Sequence, residues 1–411
     1  MIPSLTGGAV NRRQFLASLL PLAAQARLAA QAVQVSVRLK ISDIRVVPLR
    51  TVKEAGSIEP AWNPGGTMSF RVGGGSFTEI VTDQGLAGIG PGIDPGLLPA
   101  VKAQLVGKDP FDIEVHSARL RYYAGGSPYR GSGAVDIALW DLIGRATEQP
   151  LYKLWGGGKD KVPAYASLIR LSTPDERARL AAQLMSEGWT AIKLRLHHET
   201  MKEDLRTVEA VRAAVGDRMA ILTDANQAQS SGNWQPGVLW DFRRAVETAR
   251  ELQRMSCDWL EEPLPRYAFD QLAELNRLVE IPLAGGENNR GVHEFLTMLR
   301  EGVYDILQPE SLVTEGVTGL RKIGVLAEAY GKRVVPHHGG GNLGTIAHLH
   351  LVASWPHAPY LELLHDPPVG DYRHGFSILR DPPLVDKEGF VHLPKGPGLG
   401  VEINPDLIVK G

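Results

Sequence analysis

The chain has 411 residues, 43% of them hydrophobic and 22% charged, with a formal net charge of −2. That length supports a large buried core, and the near-neutral balance gives no electrostatic reason to expect nucleic acid as a partner. A single cysteine, Cys257, excludes an internal disulfide and a multi-thiolate metal centre, and no apolar run reaches membrane-spanning length.

In chain order, Asn11-Arg12-Arg13-Gln14-Phe15-Leu16 precedes a weakly apolar run, Ala17 to Ala26, and Ala30-Gln31-Ala32 supplies an Ala-x-Ala cleavage signature. Paired arginines, a mild apolar segment and Arg27 before the cut are similar to a twin-arginine export signal. The alternative is a disordered or amphipathic leader. Residues 1–32 are therefore set apart from the fold. The expected location is periplasmic or otherwise exported, with no membrane attachment of the mature form, or cytoplasmic if the signal is not used.

Lys40 to Pro48 alternates like an antiparallel strand. Ser57 to Gly75 is rich in Gly and Pro, holds Trp62, Met68, Phe70 and Arg71, and predicts a long mobile loop. Phe77–Val81 and Leu86–Ile89 flank Thr82-Asp83-Gln84-Gly85 and predict a hairpin. Helical patterns follow near Leu97–Val106 and Ile113–Tyr122. Apolar spacing in Ala134 to Gly144 predicts an amphipathic, packed helix. Together these make an α+β domain of three strands and a few helices.

From Val162 the pattern changes. Strand-like runs at Ala164–Leu168, Thr190–Leu194, Met219–Thr223, Cys257–Leu260, Ile281–Gly285, Tyr304–Leu307, Arg333–Pro336 and Tyr360–Leu363 alternate with helical ones. Examples of the latter are Thr173–Ser186, Lys202–Val215, Leu239–Arg254 and Glu315–Tyr330. Eight strands separated by seven helices predict a β/α barrel in preference to a doubly wound sheet. Past Asp366 the chain turns irregular and Pro-rich, so the tail is expected to leave the barrel and return to the first domain. The expected division is a capping domain at 38–158 plus 375–411 and a barrel at 159–374.

Three of the apolar runs end in an acid: Ile221-Leu222-Thr223-Asp224, Trp259-Leu260-Glu261 and Pro282-Leu283-Ala284-Gly285-Gly286-Glu287. Acids just past parallel strands stand at the carboxyl end of the sheet, where barrels keep their chemistry. Three carboxylates converging there repel one another unless a cation sits between them. All-oxygen ligands favour a hard ion, with Mg²⁺ the obvious candidate. The bland alternative is three unrelated surface or N-cap acids.

A longer set of motifs joins them. The helix Ala134 to Gly144 leads to Gln149-Pro150-Leu151-Tyr152-Lys153-Leu154-Trp155-Gly156-Gly157, then Ala191-Ile192-Lys193-Leu194-Arg195 and Thr223-Asp224-Ala225-Asn226. Trp259-Leu260-Glu261-Glu262-Pro263, Gly286-Glu287-Asn288, Gln308-Pro309-Glu310, Pro336-His337 and Leu361-Glu362 follow. In this order they resemble the mandelate racemase subgroup of the enolase superfamily, over nearly the whole chain past about Leu39. The resemblance implies a modified (β/α)7β TIM barrel with an N-terminal α+β capping domain completed by the C-terminal tail.

By the same resemblance, Asp224, Glu261 and Glu287 bind Mg²⁺, which holds a substrate carboxylate. Glu262 is the rival of Glu261, and Asn226 is placed to contact metal or substrate. His337 and Glu310 resemble a His–Asp dyad, with Glu where the family usually has Asp, so the dyad's geometry is the point to check. A paired carboxylate fixes the histidine tautomer and raises the basicity of the other nitrogen. His338, as the next residue on a strand, is expected to point away from the barrel axis. Glu362 lies where the subgroup carries an acid that hydrogen-bonds the substrate carboxylate.

Lys193-x-Arg195 replaces the subgroup's Lys-x-Lys, and a guanidinium is effectively always protonated and a poor base. Arg195 is expected to stabilise an enediolate or anchor an oxygen of the substrate. Two-base racemisation is therefore less favoured than β-elimination of water from a hydroxylated carboxylate, driven from the His337 side. The expected activity is that of a Mg²⁺-dependent acid-sugar dehydratase, a hydro-lyase acting on a small-molecule carboxylate. The alternatives are a racemase or epimerase on the same scaffold and a non-catalytic exported binding protein. Substrate choice is expected from Arg71, Tyr122, Tyr123, Tyr129, Arg130 and the His197-His198 pair, and a homo-oligomer is expected.

Overall fold

The computed structural model describes residues 38–123, 131–229 and 237–410. The expected export segment, Tyr129, Arg130 and the side chains of Tyr122 and Tyr123 lie outside the described residues. Five strands open the described chain: Ile41–Pro48 (β1), Thr51–Ile58 (β2), Met68–Gly73 (β3), Ser76–Thr82 (β4) and Ala87–Pro91 (β5). β1, β4 and β5 form an antiparallel sheet in which Ile44 faces Ile80, and both side chains are buried.

The segment expected as a loop is partly strand. β2 and β3 pair antiparallel, with Ile58 opposite Met68 and Ser57 opposite Ser69. The alternation that announces a strand is missing because β2 is exposed at nearly every position. Backbone pairing holds it, with shifts of register at Thr51/Lys53 and Glu54/Gly56. Glu59 to Thr67 remains irregular. This first region therefore holds five strands where three were expected.

Three helices follow: Leu98–Leu105 (α1), Ile113–Tyr123 (α2) and Ser132–Ala146 (α3). α3 is buried on all sides from Ser132 to Gly144, not amphipathic. One side lies against β5, whose glycines permit the approach: a Cβ on Gly88 would meet Ala138 O at 2.4 Å, and one on Gly90 would meet Ala134 O at 2.5 Å. Its other side meets the helix Gly316–Ala329, where Thr318 donates to Asp136 from N and Oγ1 at 2.9 and 2.6 Å. Trp140 Nε1 donates to the same Thr318 hydroxyl. The polar residues that mimic an outer face are thus engaged with a second layer.

The barrel strands are Lys161–Ser167 (β6), Ala191–Arg195 (β7), Ala220–Asp224 (β8), Trp259–Glu261 (β9), Leu283–Gly285 (β10), Ile306–Leu307 (β11), Arg333–Val334 (β12) and Leu361–Leu364 (β13). Among the described residues they form one parallel sheet in the order β12-β11-β10-β9-β8-β7-β6-β13, so the eighth strand returns to the first. The intervening helices are Pro174–Ser186 (α4), Met201–Val215 (α5), Phe242–Arg254 (α6), Phe269–Leu278 (α7), Gly291–Glu301 (α8), Gly316–Ala329 (α9) and Leu343–Ser354 (α10). β7 is buried at every position, which is why it reads as a run and not as an alternation. α4 and α5 start at capping boxes, Thr173 with Glu176 and Thr200 with Glu203. The fold is the expected modified (β/α)7β barrel.

The tail serves both parts. Phe390–His392 (β14) adds antiparallel to β6, with Val391 opposite Val162. Further on, Leu407 O accepts from Arg50 N at 2.7 Å and Leu399 N donates to the buried Asp141 at 2.7 Å.

Candidate active site

Strand register lines up the site. Arg195 sits opposite Asp224, and Asp224 opposite Glu261, along the carboxyl edge of the sheet. Lys193 and Arg195 are two residues apart on β7, so both side chains leave the same face. Asp224, Glu261 and Glu287 are all buried and each offers an oxygen within 4.8 Å of the others'. Glu262 is absent from this cluster. Its carboxyl has no hydrogen-bond partner among the described residues, and burial pushes its pKa well above the ordinary range.

Lys193 is wholly buried among carboxylates: 2.8 Å from Glu261 Oε1, 3.0 Å from Glu362 Oε1 and 3.4 Å from Asp224 Oδ2. Burial alone would lower its pKa, but Glu261, Glu362 and Asp224 more than offset this and keep the ammonium charged. Glu362 meets Lys193 as an ion pair inside the barrel, and the Tyr165 hydroxyl lies beside the same carboxylate. Burial raises the Glu362 carboxyl, but Lys193 and the nearby His337 and His338 bring it down to about 2.

Arg195 spends its fork on four partners. Nε donates to Leu168 O at 2.7 Å, Nη2 to Ser167 Oγ at 3.0 Å, and Nη1 to Asn226 Oδ1 at 3.0 Å and to Asp224. The Trp62 ring, from the β2–β3 connection, covers the guanidinium with its centroid at 4.5 Å. Asn226 adopts a left-handed φ of 44° and accepts at Oδ1 from His197 Nε2 as well, at 3.0 Å. Its oxygen is thus doubly engaged, and the amide NH₂ is the end left for a ligand.

His337 and Glu310 meet. His337 Nδ1 lies 3.1 Å from Glu310 Oε2, and its Nε2 lies 3.1 Å from Glu287 Oε2. The longer glutamate reaches the ring because its carboxylate is held by Gly339 N at 2.8 Å and Leu312 N at 3.0 Å. Burial raises the Glu310 carboxyl, and the hydrogen bond and charge of His337 pull it the other way, so that it is held below the usual carboxylate range. Burial likewise works against charge on His337, and Glu287 and Glu310 overcome it.

His338 corrects the expectation. It lines the same cavity of about 230 Å³ as His337, Arg195, Asn226 and Glu287. β12 ends at Val334 and His338 has helical backbone angles, so strand alternation no longer applies there. Gly340 N donates to His338 Nδ1 at 3.0 Å, which leaves the ring proton on Nε2. Burial and the neighbouring His337 lower its pKa to about 4.

Arg71 is not brought to the triad. It lines an adjoining cavity of about 250 Å³ together with Glu362 and His338. A larger cavity of about 640 Å³, between Ser57–Pro64 and Asp366–Val369, holds none of the acid triad. Sequence reasoning gave no role to Gln308, which donates to Glu261 at 2.8 Å, or to Gln229, which donates to Glu287 at 3.1 Å. Gln308 and Ser167 end strands just as the acids do, and that position is the signal that could have found them. Trp62 had no such signal, because its contact with Arg195 depends on how a distant connection folds.

The donor set fits a divalent cation. Asp224, Glu261, Glu287 and Glu362 carry four negative charges against the two of Lys193 and Arg195, a deficit of two. Burial and then Asp224 push Glu261 up to about 8, as expected for acids short of positive charge. Hard oxygen ligands of this kind suit Mg²⁺. Groups for proton transfer set beside a cation-binding carboxylate cluster make the chain a barrel enzyme of the metal-assisted acid–base class.

Comparison with known proteins narrows the class. Residues 176–407 match the family described as enolase C-terminal domain-like, and residues 72–156 match the mandelate racemase/muconate lactonizing enzyme N-terminal domain. The chain belongs to the mandelate racemase-like branch of the enolase superfamily. It is 30% identical to an arabinonate dehydratase of Saccharolobus solfataricus, over 79% of this chain and 87% of that one. It is also 30% identical to a D-galactarolactone cycloisomerase of Agrobacterium fabrum, over 81% and 90% of the two chains. A D-glucarate dehydratase from Agrobacterium tumefaciens, solved complexed with magnesium, superposes with a TM-score of 0.76 at 28% identity, covering 91% of this chain and all of the other.

Proposed function

We propose that the chain is a Mg²⁺-dependent acid-sugar dehydratase. Asp224, Glu261 and Glu287 would hold the ion, which when bound supplies positive charge for the substrate carboxylate and its enediolate. Lys193 and Arg195 add fixed positive charge on one side, and Asn226 offers its amide to a substrate oxygen. Glu310 accepts a hydrogen bond from His337 Nδ1–H, and Nε2, which meets Glu287 in the structure, would become the basic nitrogen once the ion takes up the Glu287 charge. His337 Nε2 takes the proton from the carbon beside the carboxylate, and the bonding pair moves into the enediolate. As the pair returns, the β-hydroxyl departs; the proton on His337 goes with it, and water is lost.

The observation that carries this reading is that one base faces the cavity. Lys193 is held charged by three carboxylates, Arg195 is a permanent cation, and His338 presents an N–H. A racemase needs a competent base on the second face, and the described residues offer none. Screening a library of aldonates and aldarates with Mg²⁺ for 2-keto-3-deoxy acid formation tests it. Stereochemical inversion without loss of water would refute it.

We further propose that Arg12-Arg13 directs export with cleavage after Ala32, that the layer 38–158 with 375–411 caps the barrel, and that the enzyme is a homo-oligomer. Fractionation of cells expressing the native chain and an Arg12→Lys/Arg13→Lys variant tests the first. Uncleaved cytoplasmic protein in both cases would overturn it.

A further inference from the structure

We infer that His348 is a positioning residue that clamps the two halves of the His337–Glu310 pair from behind; this rests on the reading of His337 as the base. His348 lies in α10, where every residue from Leu343 to Ala353 is buried. An imidazole there is costly unless both nitrogens are satisfied, and both are.

Nδ1 contacts the carbonyl oxygen of His337. A carbonyl only accepts, so Nδ1 carries the proton. Nε2 lies 2.8 Å from Ser311 Oγ and 3.4 Å from Ser311 N. The amide only donates, so Nε2 is the acceptor and the ring is the neutral Nδ1–H tautomer. Burial, which lowers the basicity of this ring, agrees with that state.

One arm therefore fixes the peptide that carries His337, and the other fixes the residue after Glu310. The one Ser311 hydroxyl proton goes to Nε2, so the 3.3 Å approach of Oγ to Glu310 Oε1 is a packing contact and not a second hydrogen bond. The turn has little room to move, because a Cβ on Gly133 of α3 would meet Ser311 O at 2.0 Å. A third tie, His337 N to Pro309 O at 3.2 Å, runs between the same two strand ends. The 3.1 Å contact of His337 with Glu310 is thus set by a frame that includes His348, although His348 faces neither the cavity nor the acid triad.

Two variants each keep one arm. His348→Asn places an amide donor near the position of Nδ1, and His348→Gln reaches toward Ser311. Misplacing a reacting group by about 1 Å can cost roughly 10²-fold. Each variant should therefore lose about tenfold or more in kcat, with KM and the half-saturating Mg²⁺ concentration changed by less than about threefold. Repeating both in a Glu310→Gln background separates positioning from general loosening. If His348 acts through the dyad, its loss should cost less than about twofold once Glu310 is gone.

Unchanged kcat, a change confined to KM, or a full multiplicative loss in the Glu310→Gln background would each overturn the clamp. Near-normal turnover by His337→Asn would instead remove the base assignment on which the clamp rests. Silent His348 variants beside a dead His337→Asn would sink the clamp alone.

Discussion

Shortening Glu310 to the aspartate usual in the family should impair this enzyme. The Glu310 carboxylate receives His337 Nδ1 at 3.1 Å and Gly339 N at 2.8 Å on one oxygen, and Leu312 N at 3.0 Å on the other. Glu310→Asp withdraws it by one carbon–carbon bond, about 1.5 Å, which takes Nδ1 out of hydrogen-bonding range. A charge-assisted hydrogen bond is worth about 1.5–3 kcal/mol. If that energy orients the base only as the proton moves, kcat should fall roughly ten- to a hundredfold with KM little changed. Initial rates of 2-keto-3-deoxy acid formation over a range of substrate concentrations give the two constants separately. A Glu310→Asp enzyme as fast as the parent would refute the claim that this distance aligns His337. Glu310→Gln, which keeps the length and removes the charge, should also be slow.

Chelation should abolish turnover and Mg²⁺ should restore it, while full activity in a thoroughly chelated sample would remove the metal claim. Residues merely supporting a ligand typically matter by about 10–100-fold in metal affinity, so Glu261→Gln should weaken Mg²⁺ binding at least that much by calorimetry. His337→Asn should still bind Mg²⁺ and substrate yet lose about 10² to 10⁴ in kcat, and in D₂O it should exchange no α-proton; near-normal turnover would move the base elsewhere. Burial pushes the Asp136 carboxyl up to about 7 against the opposing pull of Thr318. A raised folded value means its contribution is complete below about pH 4 and is lost as pH rises through about 7, worth at most roughly 4 kcal/mol. Thermal stability should therefore decline between about pH 4 and 7 and level off above, and a decline just as steep in Asp136→Asn would show that another group causes it.

The parts of the site that sequence revealed are those whose backbone position determines their role. Asp224 and Glu261 end β8 and β9, so the apolar runs before them announce where the carboxylates stand. The eight barrel strands were legible for the same reason, even though β11 and β12 shrink to two residues each. What escaped was set by distant contacts. β2 lacks an apolar face, and α3 looks half-polar because Asp136 and Asp141 are bonded across layers. His338 was misassigned because alternation was extended past the end of its strand.

The replacement of lysine by arginine on β7 acquires a physical meaning from these contacts. A lysine at position 195 would carry three rotatable donors and a pKa that burial can lower, which makes it able to act as a base. Arginine instead offers five donors in a rigid fork, and here the fork bridges the end of β6, through Leu168 O and Ser167 Oγ, to the end of β8, through Asp224 and Asn226. Trp62 then lies over the guanidinium face. The side chain is therefore fixed in place, permanently charged and shared between an acid of the triad and an amide facing the cavity. The face that a second base would need is occupied by a group that can only hold charge. With Lys193 also held charged, the proposed mechanism assigns proton removal to the side where His337 and Glu310 meet, and the same geometry that disfavours inversion favours elimination.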